Sequence, residues 1–190
     1  MLAKMLSGSL ALCALAAGAA HPDPAGQDKT TTELKVKAAI ICKIVSYVEW
    51  AERPLPEEGK PIHIGILGDD PFGGALDEIA KEHKVKGRSI EIHRAKEAAD
   101  LAHCHAVFIT SADKKHLETD LEKLTEAGTL TVGDQERFAE RGGVINLVKR
   151  GTKIRFDLNT TAAREAGIRL SSHLIKLATV VEPDKKESGK

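Results

Sequence analysis

The chain has 190 residues, with 28 basic against 28 acidic side chains and one tryptophan among its few aromatic residues. Charges of both signs are interspersed, and no basic stripe with interleaved aromatics appears, which excludes nucleic-acid binding of the electrostatic kind. No stretch beyond the N-terminus is long and uncharged enough to span a bilayer, which takes about 20 apolar residues, and a chain of this length is expected to bury one fair core as a single domain.

Met1 to Ala20 carries one cation, Lys4, an apolar run from Leu10 to Ala17 and the small triplet Ala17-Gly18-Ala19, the pattern of a cleavable secretory signal peptide. Cys13 follows Leu12 rather than the small residue that lipidation requires, so Cys13 is expected to leave with the leader, and the mature chain keeps Cys42 and Cys104 with 27 basic and 28 acidic residues. Residues 21–32 are polar, contain two prolines and read as a flexible leader. From Glu33 to Trp50, Leu34, Ala38, Ile41, Val45 and Val48 recur at spacings of three and four, which predicts a long amphipathic helix. Ile40, Ile44 and Tyr47 widen its apolar face, either against the chain's own core or against a second copy. The run Arg53-Pro54-Leu55-Pro56 is expected to stop it.

Strands are then expected at 62–67, 90–93, 106–110 and 129–132, with helices at 75–82 and 117–126 and a short helical segment at 135–140. Val144, Asn146 and Val148 alternate with Ile145 and Leu147, and Ile154, Phe156 and Leu158 with charged neighbours, so two strands joined by the short polar Lys149-Arg150-Gly151-Thr152 read as an antiparallel hairpin. Asn159-Thr160-Thr161 then caps a helical pattern through Ala162, Ala166, Leu170, Leu174, Leu177 and Val181. Gly167 leaves two readings of it, one helix or a short helix, a turn and a longer helix from about Leu170. Residues 182–190 form a charged tail. The expected fold class is α/β, a single-domain sandwich with a Rossmann-like parallel first half, a C-terminal antiparallel hairpin and packing helices over 33–181.

Side chains that could carry chemistry are few. The turn from Gly68 to Gly74 follows a strand and precedes a helix, but its glycines fit neither the dinucleotide fingerprint nor a P-loop, and Asp69 and Asp70 oppose a phosphate. His103 and His105 lie two apart and so share a strand face, which suggests a weak metal pair, whereas the remaining histidines are scattered in sequence. Ser172 and His173 are adjacent but would diverge on a helix, so no nucleophile and base meet there. Tyr47 and Trp50, at the expected end of the first helix, are candidate partner contacts.

Five segments carry a family resemblance in order: ELKVKAAIICKIVSYVEW, IHIGILGDDPFGGAL, CHAVFIT, LTVGDQERFAERGGVINL and the block from Gly142 to Val181. Together they resemble the YfiR family of small bacterial periplasmic proteins, whose best-known member represses a membrane-bound diguanylate cyclase. The resemblance implies a non-enzymatic, cofactor-free regulator in the periplasm that binds the periplasmic part of an inner-membrane receptor, a diguanylate cyclase or sensor kinase, and that forms a homodimer. Better-known members are tied by redox-sensitive disulfides between more cysteines than this chain keeps. Cys42 and Cys104 therefore either pair in the oxidising periplasm or remain two buried thiols. The other reading is a periplasmic carrier of a small ligand or metal, using Asp69, Asp70, Asp134 and the His103/His105 pair.

Overall fold

The computed structural model describes residues 24–51, 55–110 and 114–184. The signal peptide at 1–20, the Arg53-Pro54 stop and the last residues of the tail lie outside the described residues. Helix α1 (Pro24–Ile44) is followed by a 3-10 turn (Val45–Tyr47) and strand β1 (Val48–Trp50); then come β2 (Ile62–Leu67), α2 (Ala75–Glu82), β3 (Ile90–Ala95), a 3-10 turn (Ala98–Leu101), β4 (Ala106–Ile109), α3 (Lys114–Glu126) and β5 (Leu130–Gly133). The C-terminal part holds β6 (Ile145–Arg150), β7 (Lys153–Leu158), α4 (Thr160–Glu165), β8 (Ile168–Leu170), α5 (Ser172–Leu177) and β9 (Thr179–Val180).

Seven strands form one sheet in the order β3-β2-β4-β5-β6-β7-β9. It is parallel from β3 across to β6, and β7 turns back antiparallel with Arg150 opposite Lys153, so the hairpin closes through Gly151-Thr152 alone. Gly151 takes the first turn position with a φ of 63°, the left-handed backbone that a two-residue hairpin of the II′ kind requires there. The expected α/β class, parallel first half and closing hairpin are thus the observed ones.

The strand sequences explain the layering. Ile62, Ile64, Ile66, Ala106, Phe108, Leu130 and Val132 point to one face, where α1, α2 and the β1–β8 ribbon cover them. Leu67, Val107 and Ile109 point to the other, covered by α3, the second 3-10 turn and Phe138. Strands buried on both faces read as apolar runs, as parallel sheets require.

Three local expectations are revised. First, α1 begins at Pro24, inside the stretch read as leader, and ends at Ile44 rather than Trp50. Val48 to Trp50 is extended because it pairs antiparallel with Ile168 to Leu170, and this tertiary pairing overrides the helical spacing. Ile44 is buried and Ile40 packs on the same core, so the wide apolar face of α1 is spent largely within the molecule. Second, residues 135–140 form successive turns, with Arg137 at a φ of 58°, rather than a helix. Third, the C-terminal helical pattern is divided: α4 ends before Gly167, whose φ of 64° turns the chain into β8, and Ser171 caps α5 by accepting the Leu174 N–H at 3.2 Å.

Candidate functional site

At the starts of β2 and β4, the parallel register gathers histidines that are far apart in sequence. Gly65 lies opposite His93, and Ile64 opposite Ala106, so His63, His93 and the turn carrying His103 meet on one face of the sheet. His63 Nδ1 and His93 Nε2 are 2.8 Å apart, and one ligating nitrogen from each of His63, His93 and His103 lies within 4.8 Å of the others. The ring centroids are 4.8 to 5.6 Å apart. Burial first, and then the neighbouring His63 and His103 rings, hold the His93 pKa below its ordinary value. Glu91, opposite His63 in the register, places a carboxylate oxygen 3.6 Å from His63 Nδ1.

The group of three includes His103 but not His105, the residue the sequence sets beside it. His105 is buried, its Nδ1 accepts the His63 backbone N–H at 3.2 Å, and its ring stacks on His63 while meeting the Trp50 ring edge-on. It lies beside His63, just before the neighbouring strand β4, and is not one of the three converging ligands. His63 and His93 were missed because spacing along the chain hides partners that strand pairing brings together. Their positions, polar residues in two adjacent apolar strands, were the available signal.

The aspartates read as a ligand pocket do not join the histidines. Asp70 accepts the Phe72 N–H at 2.7 Å and an Arg94 N–H at 2.8 Å, and Asp69 pairs with Lys96. They follow β2 and Asp134 follows β5, at the edge of the sheet opposite to His103 and His105.

At that opposite edge Lys37 of α1 is buried between Glu33, 2.9 Å away, and Asp134, 2.8 Å away. Lys149 also reaches Glu33, at 2.6 Å. Hydrogen bonds from Lys149 and then Lys37 hold the Glu33 pKa below its ordinary value. Burial acts to lower the Lys37 pKa, but the bonds to Asp134 and Glu33 outweigh it and leave it raised. These residues edge a cleft of about 460 Å³. Three buried oxygens at this end of the sheet, Gln135 Oε1, Glu140 Oε2 and Asn146 Oδ1, have no hydrogen-bond partner among the described residues. Beside it, α1 and the β6–β7 hairpin enclose an open groove of about 700 Å³ lined by Glu33, Val36, Gly151, Ile154 and Arg155, with Val36 41% exposed.

Tyr47 is half-buried and its ring lies 5.4 Å from that of His173. Trp50 is 7% exposed, packed in the larger core, and its indole nitrogen has no partner among the described residues. Cys42 and Cys104 are both buried and not joined in a disulfide, in layers on opposite sides of the sheet. Burial raises the Cys42 pKa to about 11, which keeps its thiol protonated at neutral pH.

The segment LTVGDQERFAERGG forms a clamp. Phe138 is fully buried flat against Gly133 and Gly143, so close that a Cβ on Gly133 would lie 2.6 Å from the ring and one on Gly143 closer still. Asn159 ties the clamp to the next helix, donating to the Ala139 carbonyl at 2.7 Å and accepting the Ala162 N–H at 2.9 Å.

Among solved structures the chain is similar to a conserved domain protein from Vibrio cholerae O1 biovar El Tor str. N16961, at 16% identity over 77% of this chain and 59% of that one, with a TM-score of 0.50. It is also similar to the ABC domain in complex with L-Trp from Streptococcus pneumonia, at 12% identity over 78% of this chain and 60% of that one, with a TM-score of 0.49. This chain therefore spans about three fifths of either, and at such identities the first likeness is one of fold alone. A family model is more specific and runs from the middle of α1 to β9. The YfiR/HmsC-like model, DUF4154, matches residues 34–179, and the chain belongs to this family of periplasmic regulators.

Proposed function

We propose that this protein, once exported by its N-terminal signal peptide, binds the periplasmic part of an inner-membrane signalling protein, a diguanylate cyclase or a sensor kinase, and holds it inactive. The observation that carries this reading is the family match over residues 34–179. Repression is then a population shift: the regulator binds the inactive receptor conformation more tightly, each 1.4 kcal/mol of difference being about tenfold.

The structure adds surfaces on which such a partner could sit. Tyr47 offers surface in the turn after α1, whereas Trp50 is buried in the core and offers little. The groove beside Val36 is apolar at its centre and rimmed by Glu33, Lys149 and Arg155, the pattern of a protein-binding surface. A homodimer is proposed with it: β9 ends the sheet, and the exposed Leu177 and Val180 flank that open edge.

The test is deletion of the gene with cellular cyclic-di-GMP followed, and complementation by wild type and by Tyr47→Ala. A rise reversed by wild type supports a repressed cyclase, and a folded Tyr47→Ala that fails to complement places the contact at the end of α1. No change on deletion, together with unchanged autophosphorylation of co-expressed sensor kinases, would overturn the regulator reading.

A further inference from the structure

We infer that His63, His93 and His103 bind one divalent transition-metal ion of the zinc type, with water in the fourth position and Glu91 as an outer carboxylate. This inference does not rest on the receptor reading, because it concerns the isolated protein.

Three imidazoles are the donor set that borderline ions such as Zn²⁺ select, and a three-histidine site with an open fourth position is one of the standard forms of zinc coordination. The geometry is nearly that of such a site before any ion arrives. Ligands on a tetrahedral ion with bonds of about 2.0–2.1 Å stand about 3.4 Å apart. The His63–His93 pair, at 2.8 Å, has to open slightly, and the widest separation in the trio, up to 4.8 Å, has to close by somewhat more. His103 is exposed and lies in a turn, so side-chain rotation there supplies that movement, while His63 and His93 are held on paired strands.

The backing of the site is also in place. His105 stacks on His63 with a centroid distance of 6.0 Å and an interplanar angle of 18°, and its Nδ1 accepts the His63 backbone N–H, so the two residues are held together beside the cluster. Glu91 projects from the same strand face as His93 and supplies negative charge beside the ligands, the usual role of an outer partner in histidine metal sites. A hydrogen-bonded pair of histidines would account for His63 and His93, but gives no reason for a third imidazole to converge on them.

Trp50 furnishes a built-in reporter, being the only tryptophan and edge-on to His105 at 5.7 Å. The experiment is calorimetric titration of untagged, metal-stripped protein with ZnCl₂, alongside quenching of Trp50 fluorescence by CuCl₂. The expected result is saturable one-to-one binding whose dissociation constant rises at least about tenfold in His93→Ala and in His103→Gln, and is unchanged in His83→Ala, where the ring bonds the Ile79 carbonyl instead. His103→Gln sits at an exposed turn position, so it keeps the test decisive if His93→Ala fails to fold. Binding that is unsaturable, or equally tight in His103→Gln and wild type, would overturn the site.

Discussion

The clamp around Phe138 and the histidine cluster on the outer strands are both built on the same sheet, yet they are filled by opposite rules. At the clamp the packing is close and the backbone is tied: Phe138 lies on two glycines, Thr131 Oγ1 accepts the Val144 N–H at 3.0 Å, and Asn159 donates to the Ala139 carbonyl and accepts the Ala162 N–H. On β2 and β3, half-buried imidazoles, His63 and His93, stand on the sheet face instead of apolar side chains. The difference separates what the family motif is for from what this chain has available for binding. The glycines and Phe138 of GDQERFAERGG serve packing, whereas His63, His93 and His103 are half-buried or exposed and contribute little to the core.

The largest expected effect comes from breaking the clamp. Gly143→Ala puts a methyl group into the Phe138 ring, which has no room to retreat, and should cost about 3 kcal/mol or leave the chain unfolded, read by urea unfolding. Phe138→Ala in the same chain should recover part of that loss, because the clash and the ring are removed together. If Gly143→Ala alone unfolds at the wild-type urea concentration, the close packing described for the clamp is wrong. Next in size is Asn159→Ala, which removes the cap of α4 and one of two hydrogen bonds to the Ala139 carbonyl, the other coming from the Gly142 N–H at 3.2 Å, for about 1–2 kcal/mol in the same assay.

Much of this was legible in sequence where local pattern and tertiary demand agree. The apolar runs at 62–67 and 106–109 and the alternation across 145–158 place the sheet within a residue or two. Val48 to Trp50 was not legible, because its helical spacing is real and only its pairing with Ile168 to Leu170, over a hundred residues away, makes it a strand. The histidine site was half legible for the same reason. His103 stood out beside His105, but which histidines meet depends on the β2–β3 register, which no spacing along the chain encodes. The split of Asp69 and Asp70 from His103 likewise follows from strand direction, since the aspartates follow β2 and the histidines precede β4.

A smaller effect should come from the ion network at the far edge. Lys37→Met removes the cation between Glu33 and Asp134 and should cost about 1–2 kcal/mol at pH 7. The pH dependence has a definite sign. Glu33 has a folded pKa below 4.5, so its contribution is present above that value and is lost as pH falls through the folded value. Lys37 has a folded pKa above 10.5, so its contribution is present below that value and is lost as pH rises through the folded one. The penalty of Lys37→Met should therefore be widest between about pH 4.5 and 10.5 and narrow on either side. An equal penalty at pH 3 and pH 7 would show that Lys37 acts through its packed stem rather than its charge.

The smallest effect should be at the histidines, and its smallness is the point. His103→Ala removes an exposed side chain from a turn, and substitutions of that kind usually shift stability by less than about 0.5 kcal/mol, so its urea midpoint should match wild type in the absence of metal. With zinc in excess the two should separate, because an ion that binds only the folded state adds stability by mass action, and about 100-fold excess over the dissociation constant adds about 2.7 kcal/mol. Wild type should then gain and His103→Ala should gain less. A loss of stability in His103→Ala without metal would mean that the turn before β4 needs this ring for folding, and the contrast with the clamp would fail at that residue.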